Sequence, residues 1–147
     1  MRVIVDADAC PVMDIIIEET EALSIPVYLV KSYDHYSTND YPEHVKTQYV
    51  DSGNDAVDYV IVKQIKPNDI VITQDYGLAA LCLPKKCIVL HHQGYQFSQE
   101  NIDSKLLNRH LNAKARKAGQ RTKGPKKFTK DQKDKFRMKF RKIIQSV

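Results

Sequence analysis

Short apolar runs alternate with amphipathic stretches through the first two thirds of the chain. Arg2 to Val5 ends at Asp6 and predicts a short buried strand. Pro11 to Leu23 predicts a helix, because proline fits a first helical turn and Ile15, Ile16 and Leu23 recur on one face. Val27 to Val30 predicts a second strand. Residues 31–44 are polar, with Tyr33, His35, Tyr36, Tyr41 and Pro42, and read as a loop. Val45 to Val50 alternates like a third strand, and Asp51 to Asn54 reads as a turn with Asn54 as an N-cap. Asp55 to Lys66 then predicts a helix that is apolar on most sides. Ile70-Val71-Ile72 predicts a fourth strand running into Thr73-Gln74-Asp75. A short helix over Gly77 to Leu83 and a fifth strand over Cys87 to Leu90 complete this part.

Strands alternating with helices predict a three-layer α/β/α sandwich around a mostly parallel sheet. In such sheets ligands bind outside the carboxyl ends of the strands. The last third of the chain reads differently. A helix from about Gln99 to Lys117 is expected to turn Ile102, Leu106, Leu107 and Leu111 inward, and residues 119–127 form a basic loop. A final helix is expected at Thr129, where Thr129 and Gln132 suit a capping box. Its apolar residues Phe136, Phe140, Ile143, Ile144 and Val147 follow one helical stripe, which should pack on the body. The pattern therefore predicts one domain, with an acidic α/β body over 1–98 and a basic helical part over 99–147 packed on it.

Composition narrows the classes. At 42% hydrophobic over 147 residues the chain can build a core, so disorder throughout is excluded. No apolar run approaches the ~20 residues of a membrane span. The first acid, Asp6, follows only three apolar residues, which is too short for an export signal. Three cysteines do not make a disulfide scaffold, and a reducing cytoplasm is the expected location. The net charge of +5 conceals an asymmetry: residues 1–100 hold 7 Lys and Arg against 15 Asp and Glu, and residues 101–147 hold 16 against 3. Such a basic third suits a polyanion, most often nucleic acid, although charge alone weighs equally for a solvated surface.

Carboxylates gather where this fold would place a site. Asp6 and Asp8 end the first strand, Asp51 ends the third, and Asp75 follows the fourth. Asp55 and Asp58 share a face near the start of an apolar helix. Singly, each has a structural explanation: Asp8 and Asp75 as N-caps, Asp51 as a turn residue, Asp55 as a partner of the helix dipole. Asp58 is harder to explain so, because its neighbours Val57, Tyr59, Val60, Ile61 and Val62 are apolar. Together, close carboxylates repel unless a cation neutralises them. Hard oxygen ligands point to Mg²⁺ or Mn²⁺. One or two such ions beside a basic surface suit phosphodiester hydrolysis.

The segment Val5-Asp6-Ala7-Asp8-Ala9-Cys10-Pro11-Val12 resembles the opening motif of the uncharacterised bacterial YaiI/YqxD family. Three further stretches resemble that family in order: Asp51 to Asp58, Ile72 to Ala79, and Lys123 to Phe128. The family is similar to PIN and NYN nuclease domains. The resemblance implies a PIN-like fold with an acidic divalent-metal site, and places Asp6, Asp55, Asp58 and Asp75 at its metal positions. Asp8 is peculiar to the narrower family and joins the expected metal set. The expected partner is RNA or another single-stranded nucleic acid. Its backbone would lie on Arg109, Arg116, Lys117, Arg121, Lys123, Lys126 and Lys127, and Tyr76 stands at the rim of the site.

Two other readings compete. Asp6-Ala7-Asp8 resembles the paired acids of haloacid-dehalogenase phosphatases, but Ala9 and Cys10-Pro11 stand where that motif has glycine and threonine. A nucleic-acid-binding module without turnover would carry the same basic surface. The spacing of Cys82, Cys87, His91 and His92 suits zinc less well than ordinary packing.

Overall fold

The computed structural model describes residues 1–8, 10–33, 40–51, 55–104, 107, 108, 111 and 128–146. All five strands expected from the apolar runs are present and every pairing is parallel. They are β1 (Val3–Asp6), β2 (Val27–Ser32), β3 (Val45–Val50), β4 (Ile70–Ile72) and β5 (Ile88–Leu90), in the order β3-β2-β1-β4-β5. The chain moves outward from β1 to β3, then returns to lay β4 on the other side of β1. The boundary between β1 and β4 is thus the point where the winding reverses, the place beyond the strand ends where such sheets bind ligands.

Helices cover both faces. On one face lie α1 (Met13–Glu21) and α4 (Lys130–Gln145), which bury Ile15, Ile16, Phe136 and Phe140 against Val3, Val5, Leu29 and Ile72. The other face carries α2 (Ala56–Gln64), α3 (Tyr76–Cys82) and the helical residues 99–104. There Val57, Ile61, Leu78, Cys82 and Ile102 pack on Ile4, Val30, Val71 and Val89. This is a three-layer α/β/α sandwich. Burial on both faces explains why β1, β4 and β5 are continuous apolar runs, whereas the edge strand β3 alternates and is only partly buried.

Helix α4 is fixed in three ways. Thr129 and Gln132 form the expected capping box. Arg137 and Arg141 both bond Glu19 of α1, and Arg137 also reaches Glu18. Gly94, at φ 86°, brings its turn so close that a Cβ there would meet the Lys135 carbonyl at 2.9 Å. Among the described residues no helix is long and apolar enough to cross a membrane.

The elements differ from expectation in four places. Helix α1 is shorter than Pro11 to Leu23, and Leu23 lies beyond it at 46% exposure. Strand β2 continues through Lys31 and Ser32, because β3 supplies ladder partners in Tyr49 and Val50. Helix α3 starts at Tyr76, and a single 3-10 turn over Leu83–Lys85 follows it. Leu107 and Leu111 point outward, at 58% and 51% exposure. At about 100° per residue they stand roughly 140° and 180° around a helix from the buried Ile102, so one face cannot hold all three. Leu106, Lys117 and Val147 lie outside the described residues.

Candidate metal centre

Asp6 is the last residue of β1, beside the reversal point. Its half-buried Oδ2 accepts a 2.9 Å hydrogen bond from the Thr73 hydroxyl at the end of β4. The same Thr73 oxygen accepts the Asp75 backbone N–H at 3.0 Å, so one buried threonine ties the two strand ends together. Asp75 caps α3, its Oδ1 accepting from the N–H groups of Gly77 at 2.8 Å and Leu78 at 3.2 Å. A Cβ on Gly77 would stand 3.2 Å from that oxygen, so glycine leaves the carboxylate room. The capping explanation of Asp75 is therefore real, and the two bonds to Oδ1 also hold the side chain in one orientation.

Asp58 enters from α2 and is half-buried. Burial first, then the charges of Asp75, Asp6 and Asp55, push its carboxyl up to about 6. Asp6 is also raised, by burial and by Asp75 and Asp8, against the opposing pull of Thr73. Four carboxylates from β1, α2 and the β4–α3 junction thus feel one another. Asp55 precedes α2 with left-handed backbone, φ 64°, and makes no side-chain cap bond. That conformation costs a non-glycine residue about 1 kcal/mol and is tolerated best by Asn and Asp. The expected cap Asn54 lies outside the described residues.

The remaining acids behave differently. Asp8 does not cap α1, whose cap position is Val12; its Oδ1 instead accepts the Ser32 N–H of β2 at 2.9 Å. It still contributes charge to Asp6. Asp51 is exposed past β3 and is absent from the charges acting on Asp6 and Asp58. A cleft of about 620 Å³ opens between α2 and α3, lined by Asp55, Asp58, Tyr59, Val62, Asp75, Gly77 and Leu81. A second, of about 440 Å³, lies across Asp75 and is lined by Gln74, Tyr76, His91 and Gln93. Tyr76 is half-buried with its ring edge-on to Phe97, 6.2 Å away.

The donor chemistry fits a hard divalent cation. The acids acting on Asp58 and Asp6 are hard oxygen donors, and burial first, then neighbouring negative charge, raises both carboxyls. Among the described residues no three acids, histidines or cysteines already stand together at ion-binding distance. Cys82 and Cys87 are buried free thiols on α3 and before β5, and they form no such group with His91 or His92. The basic residues Arg109, Arg116, Lys117, Arg121, Lys123, Lys126 and Lys127 all lie outside the described residues.

Thr73, Gly77, Lys31 and Tyr59 are absent from the sequence-based site. Thr73 sits at the end of an apolar run, where a β-branched residue needs no further reason. Lys31 is 8% exposed at the end of β2, where the sequence suggested a loop. Tyr59 counted among the apolar residues of its helix, yet its ring is 68% exposed in the cleft.

A parallel α/β/α sandwich with acids converging at the reversal point of its sheet defines the class. Within it the chain belongs to the uncharacterised YaiI/YqxD family, whose model matches residues 4–146. It is 56% identical over 144 residues to a UPF0178 protein of Bacillus cereus, covering 98% of this chain and 99% of that one. UPF0178 proteins of Bacillus mycoides, at 56%, and Bacillus thuringiensis, at 55%, match over the same shares of both chains. No solved structure matches.

Proposed function

We propose that this protein hydrolyses phosphodiester bonds in RNA or another single-stranded nucleic acid, aided by one or two Mg²⁺ or Mn²⁺ ions. Asp6, Asp55, Asp58 and Asp75 would hold the metal, with Asp8 at its margin. The observation that carries this reading is the convergence of Asp6, Asp58 and Asp75 from three separate elements onto one sheet edge, where their charges oppose one another. When bound, the metal supplies a water of lowered pKa and a positive charge for the leaving oxygen. The chain's own groups do the positioning. Thr73 sets the spacing of Asp6 and Asp75, and the α3 amides lock the Asp75 carboxylate. The basic C-terminal third would hold flanking phosphates, and Tyr76 borders the second cleft.

Asp75→Asn is the sharpest test, because asparagine is an equally good cap and keeps the fold. Cleavage of a single-stranded RNA in Mn²⁺ should fall by at least ~10², about 2.7 kcal/mol of transition-state stabilisation. Unchanged cleavage by the purified variant would remove Asp75 from the site. The phosphatase reading needs Asp8 as acid or base, whereas its Oδ1 is occupied by the Ser32 N–H. Trapping of a fluoride phosphoryl analogue on Asp6 would restore that reading, and RNA binding without cleavage would favour a binding module.

A further inference from the structure

The cleft between α2 and α3 has two chemically different walls. One end carries Asp55, Asp58 and Asp75. The other carries Tyr59, Val62 and Leu81, with Tyr59 68% and Leu81 56% exposed. Val62 packs partly against the core, whereas Tyr59 and Leu81 leave apolar surface in water. Beyond them stand two cations. The Lys63 ammonium lies 6.0 Å from the centre of the Tyr59 ring, and the Lys85 ammonium bonds the Val62 carbonyl at 2.6 Å. Asp55, Tyr59 and Lys63 follow one another at four-residue steps, each about 6 Å along the helix. Along α2 the order is therefore acid, aromatic ring, cation, with the two lysines outside the cleft lining and Lys63 over the Tyr59 ring.

We propose that Tyr59, flanked by Val62 and Leu81, is a stacking shelf for one unpaired nucleobase of a single-stranded nucleic acid, with Lys63 and Lys85 facing the next phosphate. This rests on the nuclease reading only in placing the preceding phosphate at the acids. The shelf suits a flat π-surface of any base, since stacking on tyrosine is tolerant of sequence. A duplex cannot use it, because its bases are already stacked. The role of Tyr59 is therefore positioning and strand selection, not chemistry.

The test uses an eight-nucleotide RNA in Mg²⁺, binding being read by fluorescence anisotropy, with cleavage measured separately. Tyr59→Ala should weaken binding about tenfold and Tyr59→Phe should keep it, because the ring and not the hydroxyl makes the contact. Removing one base from the RNA, at the position that matters most, should weaken wild type by a similar factor and the Tyr59→Ala protein hardly at all. The matching duplex should bind Tyr59→Ala and wild type alike. Equal affinity of Tyr59→Ala and wild type for the RNA, or a base-removal effect that survives in Tyr59→Ala, would overturn the shelf. Cleavage decides the other reading independently: RNA cut normally without Tyr59 coupling removes the shelf alone, and coupling without cleavage leaves the shelf and removes the nuclease. Tyr59 is exposed, so its replacement should leave the melting temperature unchanged.

Discussion

Replacing Asp58 with asparagine should stabilise the metal-free protein while abolishing its metal response. The carboxyl rises from 3.8 to about 6 because it is partly buried and faces Asp75, Asp6 and Asp55. At about 1.4 kcal/mol for a tenfold change in proton affinity, that rise converts to roughly 3 kcal/mol. The side chain is only partly buried, and solvent screening reduces that to about 1 kcal/mol. The sign follows from proton binding. The folded protein holds the Asp58 proton more tightly than the unfolded chain, so this group's contribution falls as pH rises from about 4 to 6. Above that window the charged carboxylate opposes folding in full, and the raised Asp6 acts in the same direction. Asp58→Asn should therefore melt about 3 °C higher than wild type at pH 7.5 in EDTA, and at the same temperature near pH 3.5. Adding Mn²⁺ should raise the melting temperature of wild type and leave the variant where it was. Thermal melts of both proteins across pH 3.5–7.5 make the comparison. A variant less stable at pH 7.5, or a gain that does not depend on pH, would show that Asp58 is not held among opposing charges.

Two other outcomes follow from other groups. His92 is 2% exposed, and its two ring nitrogens have no hydrogen-bond partner among the described residues. Burial lowers its pKa to about 4, so the unfolded chain gains a proton first. Its contribution to stability should decline by up to about 3 kcal/mol as pH falls from 6.5 to 4, and His92→Leu should flatten that part of the urea-denaturation profile. An unchanged profile would contradict the burial of His92. In the basic third, neutralising about four phosphates should give a salt slope near −2.8 in log affinity for single-stranded RNA. Exchanging Arg121, Lys123, Lys126 and Lys127 for alanine should shallow that slope, and an equal slope would mean those charges contact nothing.

The sheet was legible because its strands are short apolar runs, and runs buried on both faces leave little choice of register. Asp6 was legible for the same reason, as the acid that stops such a run. Asp58 stood out against apolar neighbours. What could not be read were features set by long-range contacts. The Ser32 amide that takes Asp8 lies 24 residues away, and Thr73 and Asp6 are 67 residues apart. The left-handed backbone at Asp55 leaves no mark, since aspartate suits a helix start and a left-handed turn equally. Tyr59 illustrates the converse problem: an aromatic on an apolar helix reads as core, and only the position of α3 shows that its ring faces a cleft. Leu107 and Leu111 misled because leucines count as inward until their angle from Ile102 is drawn.

If these acids share a divalent cation, isothermal titration of Mn²⁺ will register it. Wild type should bind one or two ions at pH 7.5, with affinity falling as pH drops toward 5, where the raised carboxyl of Asp58 takes up its proton. The double variant Asp6→Asn with Asp75→Asn should show no binding while keeping its fold by circular dichroism. Binding of equal affinity in the double variant, or none in wild type, would contradict the account.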